Sequence, residues 1–250
     1  AAWFGGALNA SSRLPTDDGV ARDFDGNPIV APWAKGWGAK WVTTAHPDTV
    51  KALRNQATTI IAAGADSIQV DEPLLQLHTA SWGGDFNSAT LDGFRQYLSA
   101  NPDRSVLALP GIAGLDKTDY REFLKSQYGI KDTREYRRRY RSLPTTEIWT
   151  RYLRDSVRQY FAEFRSYLNG LRTRPVAVSM NLGELDRPNE NNRNFFLTEF
   201  SDYALAETPI ARVDELVVRS ATLRALGVGF VPSLMPRSTA ENRVAIVTLY

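Results

Sequence analysis

Three acidic residues stand where acid–base chemistry could use them. Asp71 and Glu72 end the alternating run Ser67-Ile68-Gln69-Val70 and precede Pro73, and Glu207 ends Tyr203-Ala204-Leu205-Ala206 and precedes Thr208-Pro209. An acid that prefaces an apolar helix is accounted for as a cap, and Asp48 and Asp116 have that setting. An acid that terminates an apolar strand has no such duty. Two carboxylates on separate strands, Asp71 or Glu72 on one and Glu207 on the other, suit glycosidic bond cleavage: one protonates the leaving oxygen while the other attacks or activates water.

Other polar residues at strand ends could hold hydroxyl-rich substrate: Asn9, His46, Asn181 and Ser233. Trp82, in the loop Trp82-Gly83-Gly84-Asp85, could stack on the apolar face of a sugar, and Asp85 joins this substrate-binding set. Each has a duller alternative. His46 could serve the start of the helix at Pro47, the asparagines could close turns, and Trp82 could anchor its loop. His78 reads as structural. Asp71, Glu72 and Asp85 could instead be oxygen ligands for Mg²⁺ in an enolase- or lyase-type site, but no late strand ends in the Lys or His base such a site needs. The stretch Arg134-Glu135-Tyr136-Arg137-Arg138-Arg139-Tyr140-Arg141 is basic and aromatic, a pairing that can bind anionic polymers. A solvated helix face with inward tyrosines is the favoured reading there.

Positioning these residues requires short strands alternating with longer helices, the pattern of βαβ units around a parallel sheet. Strands are expected at Trp3–Leu8, Lys40–Thr44, Ser67–Val70, Val176–Met180, Tyr203–Ala206 and Gly229–Val231, each turning polar at its C-terminal end. A helix is expected from Pro47 to Ala63, stopped by Gly64. From Asp116 to Leu171 the pattern is almost wholly helical, with a break at Leu143-Pro144. The fold class implied is α/β, a (β/α)8 TIM-type barrel lacking terminal strands, in one domain over 1–250 with a helical insertion around 105–170. No glycine fingerprint follows the first strand, and polar residues end several strands instead of marking one switch point, which disfavours a doubly wound sheet. Alternation puts Ser67, Gln69 and Asp71 on one face and Ile68 and Val70 on the other, so Asp71, not Glu72, is expected to face the barrel mouth.

Composition narrows the chemistry further. The 250 residues include no cysteine and two histidines, so thiolate sites, a cysteine nucleophile and a three-histidine zinc centre are ruled out. No metal or cofactor is expected. A net charge of +2 supplies no general field toward nucleic acid or membrane, and neither is an expected partner; a carbohydrate substrate is. No apolar run approaches the roughly 20 residues that span a bilayer. The chain opens Ala-Ala-Trp and stops within the apolar pattern Val244, Ile246, Val247 and Leu249, so both ends are expected to be cut. A polymeric substrate favours a secreted or periplasmic setting.

The segments Gly64-Ala65-Asp66-Ser67-Ile68-Gln69-Val70-Asp71-Glu72-Pro73, Gly83-Gly84-Asp85-Phe86 and Leu91-Asp92-Gly93-Phe94-Arg95-Gln96-Tyr97-Leu98 resemble (β/α)8 glycoside hydrolases of the β-galactosidase-like kind. There, an acidic strand end leads through a loop to a Phe-Arg-x-Tyr/Trp-Leu helix. The segment from Arg174 to Asn181 is similar to later strands of such barrels. The resemblance implies an acid/base at Asp71 or Glu72, a second carboxylate at Glu207, no cofactor, and retention of anomeric configuration favoured. The chain departs from that pattern in having Asp71 before Glu72 where such enzymes carry an Asn-Glu pair. An inactive, carbohydrate-binding barrel is the alternative.

Overall fold

The computed structural model describes residues 2–5, 8–9, 17–100, 111–182, 192–208, 213–234, 238 and 240. The chain forms two compact units, one of Ala1–Gly6, Gln56–Pro73 and Phe161–Tyr250, the other of Ala7–Asn55 and Leu74–Tyr160.

The first unit is built on a parallel sheet. Its strands are β1 (Ala2–Gly5), β4 (Ser67–Asp71), β5 (Ala177–Asn181), β6 (Tyr203–Thr208) and β7 (Gly229–Leu234), hydrogen-bonded in that order. The order follows the chain without reversal, each neighbour pair being parallel. One face is apolar: Ile68, Val70, Val178, Met180, Ala204 and Ala206 are all at most 1% exposed. Enclosing residues of the Ile, Val and Met type stabilises by about 1.5–3 kcal/mol each before entropy is counted, which fixes register because a one-residue slip would turn the set to the other face. Helix α7 (Val213–Ala225) buries Leu216 and Leu223 and connects β6 to β7. The three parallel strands expected from Ser67, Val176 and Gly229, and the one at Tyr203, are present with ends shifted by a residue to three.

The first two expected strands differ from expectation. Trp3–Leu8 divides into β1 and a separate β2 (Leu8–Asn9), and of Lys40–Thr44 only β3 (Lys40–Trp41) pairs, antiparallel to β2. The cause lies in residues 19–30, which take up the backbone groups of this segment. Ala21 donates to the Trp41 carbonyl (2.9 Å), Trp41 donates to Ile29 (2.8 Å) and Thr43 donates to Gly19 (3.0 Å). Apolar alternation is the same in an antiparallel ribbon as at a sheet edge, so sequence pattern alone does not separate them. β2 and β3 belong to the second unit.

That unit is otherwise helical. α1 (Pro47–Ala62) starts with proline in its first turn, carries Asp48 beside it, and buries Leu53, Ala57 and Ile61 at four-residue intervals, continuing into the first unit from Gln56. Gly64, at φ 95°, ends it in a conformation that favours glycine. α2 (Gln76–Thr79), α3 (Ser88–Ala100), α4 (Tyr120–Tyr128), α5 (Thr133–Arg139) and the start of α6 (Thr146–Gly170) surround an aromatic core. Phe94 lies 4.8 Å edge-on to Trp149, Tyr120 lies 4.6 Å from Trp149, and Phe86 meets Tyr136 at 5.1 Å. The expected break at Leu143-Pro144 falls between α5, extended by a 3₁₀ turn, and α6. Asp119 and Asp132 cap α4 and α5 through their carboxylates; Asp116, expected as a cap, lies within a short 3₁₀ turn instead. No helix among the described residues is long and apolar enough to cross a membrane.

Candidate functional site

The polar face of the parallel sheet is laid out by register. Gln69 stands beside Ser179, which stands beside Tyr203, and Asn181 stands beside Leu205. Side-chain bonds follow these rows. Tyr203 OH donates to Ser67 Oγ (3.4 Å), Ser179 Oγ donates to Gln69 Oε1, and Asn181 Nδ2 donates to Asp71 Oδ1 (3.3 Å). The set Ser67, Gln69 and Asp71 therefore shares one face while Ile68 and Val70 are wholly buried on the other, as alternation requires.

Asp71 is half-buried at the C-terminal end of β4. Its Oδ1 also accepts the Glu72 N–H (3.1 Å), so amides, not cations, hold the carboxylate among the described residues. The chain then turns sharply. Glu72 has φ 49° and Leu75 φ 48°, the only non-glycine residues with positive φ among those described. Such conformations cost on the order of 1–3 kcal/mol and persist where surrounding structure imposes them, commonly at functional sites. Glu207 pairs with Ser233 near the same end of the sheet, two residues beyond Leu205; the Glu207 side chain lies outside the described residues. Asp71, Glu72, Asn181, Glu207 and Ser233 thus belong to one unit and to one end of one sheet.

The remaining predicted residues belong to the second unit. Asn9 is paired through its backbone with Lys40, its side chain lying outside the described residues. His46 Nδ1 accepts the Asp48 N–H (3.3 Å), the helix-start contact that was its alternative reading. Asp85 is fully buried, accepting from Thr90 Oγ1 (2.7 Å), Arg22 N–H (3.3 Å) and Asn87 N–H (3.4 Å). Burial pushes its carboxyl up, against those hydrogen bonds. Its oxygens hold the loop leading into α3.

Trp82 sits in a cluster of four rings. His78 lies 4.3 Å from it, Trp41 5.0 Å and Trp33 5.3 Å, the two indoles nearly perpendicular to it. Trp41 is fully buried and donates from Nε1 to the Leu75 carbonyl (2.7 Å), whereas Trp33 is 46% exposed. Sequence reading missed Trp33. The available signal was density: Trp33, Trp37 and Trp41 are three of the six tryptophans within nine residues.

No family model and no solved structure matches this chain. Two curated relatives are alpha-agarases. One, from Thalassotalea agarivorans, is 27% identical over 139 residues, covering 53% of this chain and 9% of its own length. The other, from Alteromonas agarilytica, is 25% identical over 143 residues, covering 55% of this chain and 10% of its own. The match spans about a tenth of the length of these relatives. The homology is distant and partial, and it leads to alpha-agarases, which are glycoside hydrolases, with nothing pointing to the β-galactosidase-like barrels in particular.

Proposed function

We propose that this chain is part of a glycoside hydrolase that cleaves an agar-like polysaccharide by a two-carboxylate mechanism. The observation that carries the reading is Asp71, a strand-end carboxylate held by amides beside a strained turn, in a chain about half of which is distantly similar to a tenth of two alpha-agarases. In this reading the carboxylates are Asp71 or Glu72 and Glu207, with Asn181 and Ser233 meeting sugar hydroxyls. Five parallel strands in unreversed order support a (β/α)8-type scaffold, since doubly wound sheets reverse order at their binding crevice. Trp33 and Trp82 suit stacking on sugar faces.

Asp71 and Glu207 lie two strands and two residues apart, so their Cα atoms are about 12 Å from one another by strand spacing and rise. Retention needs carboxyls about 5–5.5 Å apart and inversion about 6.5–9.5 Å. The backbone spacing selects neither; we propose retention, which the resemblance to retaining barrels implies, with NMR of the first-formed anomer as its test. The reading as a whole is tested by assaying reducing ends released from agarose, using the chain and its Asp71→Asn, Glu72→Gln and Glu207→Gln variants. Glu207→Gln and Asp71→Asn should lose about 10²–10⁴-fold in kcat, and Glu72→Gln should lose less. Binding of agarose without hydrolysis by the unaltered chain would replace the enzyme with a carbohydrate-binding barrel.

A further inference from the structure

The basic stretch left unused by this function forms a single ridge. Arg134, Arg137, Arg138 and Arg141 are spaced i, i+3, i+4 and i+7 along α5 and its 3₁₀ extension, and all four are exposed, Arg138 to 75% of its side chain. That spacing aligns them on one face over roughly 10 Å. Beneath them the helix is fixed in place. Tyr136 is fully buried and donates to the Ala80 carbonyl (3.3 Å), Tyr140 is 2% exposed and bonded to Thr150 Oγ1 (2.7 Å), and Asp132 caps the first turn.

Little nearby acid offsets the ridge. Glu135 faces Arg138 and Arg139 at 3.6 and 3.5 Å and accepts the Lys131 N–H, and Asp25 accepts the Thr133 N–H at the helix start. Arg134, Arg137 and Arg141 form no ion pair or hydrogen bond among the described residues. Between Lys131 and Arg141 six cationic side chains stand against two acidic ones, a net +4 in a chain whose total is +2. The positive charge is therefore concentrated here, while the other 239 residues carry a net −2.

We propose that this ridge binds the anionic substituents, sulfate or carboxylate, of a polysaccharide chain. Guanidinium groups match such oxyanions with paired donors, and a ridge one helix face wide suits groups spaced along an extended polymer. Single-stranded nucleic acid is disfavoured because its binding uses exposed rings for base stacking, and both tyrosines of this segment are buried. The proposal rests on reading the chain as polysaccharide-directed, and it extends the substrate class from neutral to charged glycans.

The test is fluorescence anisotropy of the full chain with a labelled sulfated galactan, its chemically desulfated form, and a poly-dT oligonucleotide. The sulfated galactan should bind at about 20 mM salt and weaken about tenfold by about 200 mM, because exposed charge pairs are screened over that range. Combined Arg134→Gln, Arg137→Gln and Arg141→Gln should lower affinity about tenfold while leaving hydrolysis of neutral agarose oligosaccharides unchanged. Unaltered affinity in that triple variant would overturn the proposal. So would equal binding of the desulfated polymer, or tighter binding of poly-dT. Binding is read without turnover, so loss of the hydrolase reading and loss of the ridge give different results.

Discussion

At the N-terminal ends of the central strands the acids are clamped by arginines; at the C-terminal ends Asp71 is met by amides. Asp66, just before β4, is held by Arg172 (3.0 Å) and Arg174 (2.5 Å). Asp202, just before β6, takes a forked pair of bonds from Arg165 (2.5 and 2.8 Å) and a third from the Val178 N–H (2.7 Å), tying β6 to β5. Asp71, at the other end of β4, accepts from Asn181 and the Glu72 N–H and from no cation among the described residues. An arginine satisfies a carboxylate and takes it out of chemistry, whereas an amide positions it and leaves an oxygen for a substrate. Under the proposed function the sheet carries stability chemistry at one end and reactive chemistry at the other, the division expected of parallel α/β folds.

The largest effect is expected at the C-terminal end of the sheet. Glu207→Gln should lower turnover of agarose about 10²–10⁴-fold, measured by reducing-end release, with the thermal midpoint nearly unchanged. Next in size is the apolar face that both ends share. Ile68→Ala removes a fully buried side chain and should cost about 2–5 kcal/mol in urea unfolding while leaving the rate per folded molecule intact.

The clamped end should respond less, and through pH. Partial burial pushes the Asp202 carboxyl up, but the Arg165 guanidinium and the Val178 N–H outweigh it and hold it below the usual range. Asp66 is lowered mainly by hydrogen bonds from Arg174 and Arg172. Carboxyls lowered in the folded state stabilise it fully above their unfolded value of about 4, and that contribution disappears as pH falls through the folded values. Asp202→Asn should therefore lower stability by about 1 kcal/mol at pH 7 and by progressively less below pH about 4, followed by urea midpoints across pH. Smallest is Trp33→Ala. With nearly half its surface already exposed, its loss should cost under about 1 kcal/mol in stability, yet weaken retention on insoluble agarose severalfold in a pull-down.

Local pattern made part of this visible beforehand. The period-two run from Ser67 to Asp71 gave both a strand and its faces, and proline and glycine marked the limits of α1. Long-range pairing did not show. The arginines that clamp Asp66 come from more than 100 residues away, and the backbone partners that draw Lys40–Trp41 into an antiparallel ribbon come from residues 19–30. Asp85 looked like its neighbours in type and spacing, and only burial by Thr90, Arg22 and Asn87 sets it apart. The ring cluster around Trp82 gathers residues 33, 41 and 78 that share no periodicity.

One side-by-side experiment tests whether the two ends of the sheet divide reaction from stability. Asp71→Asn and Asp202→Asn are compared for agarose hydrolysis and for urea midpoint under the same conditions. The predicted result is a crossed pattern: Asp71→Asn loses activity about 10²-fold or more with its midpoint held, and Asp202→Asn loses midpoint with its activity within about twofold of the parent. Equal activity in Asp71→Asn and the parent, or an activity loss in Asp202→Asn as large as that in Asp71→Asn, would contradict it.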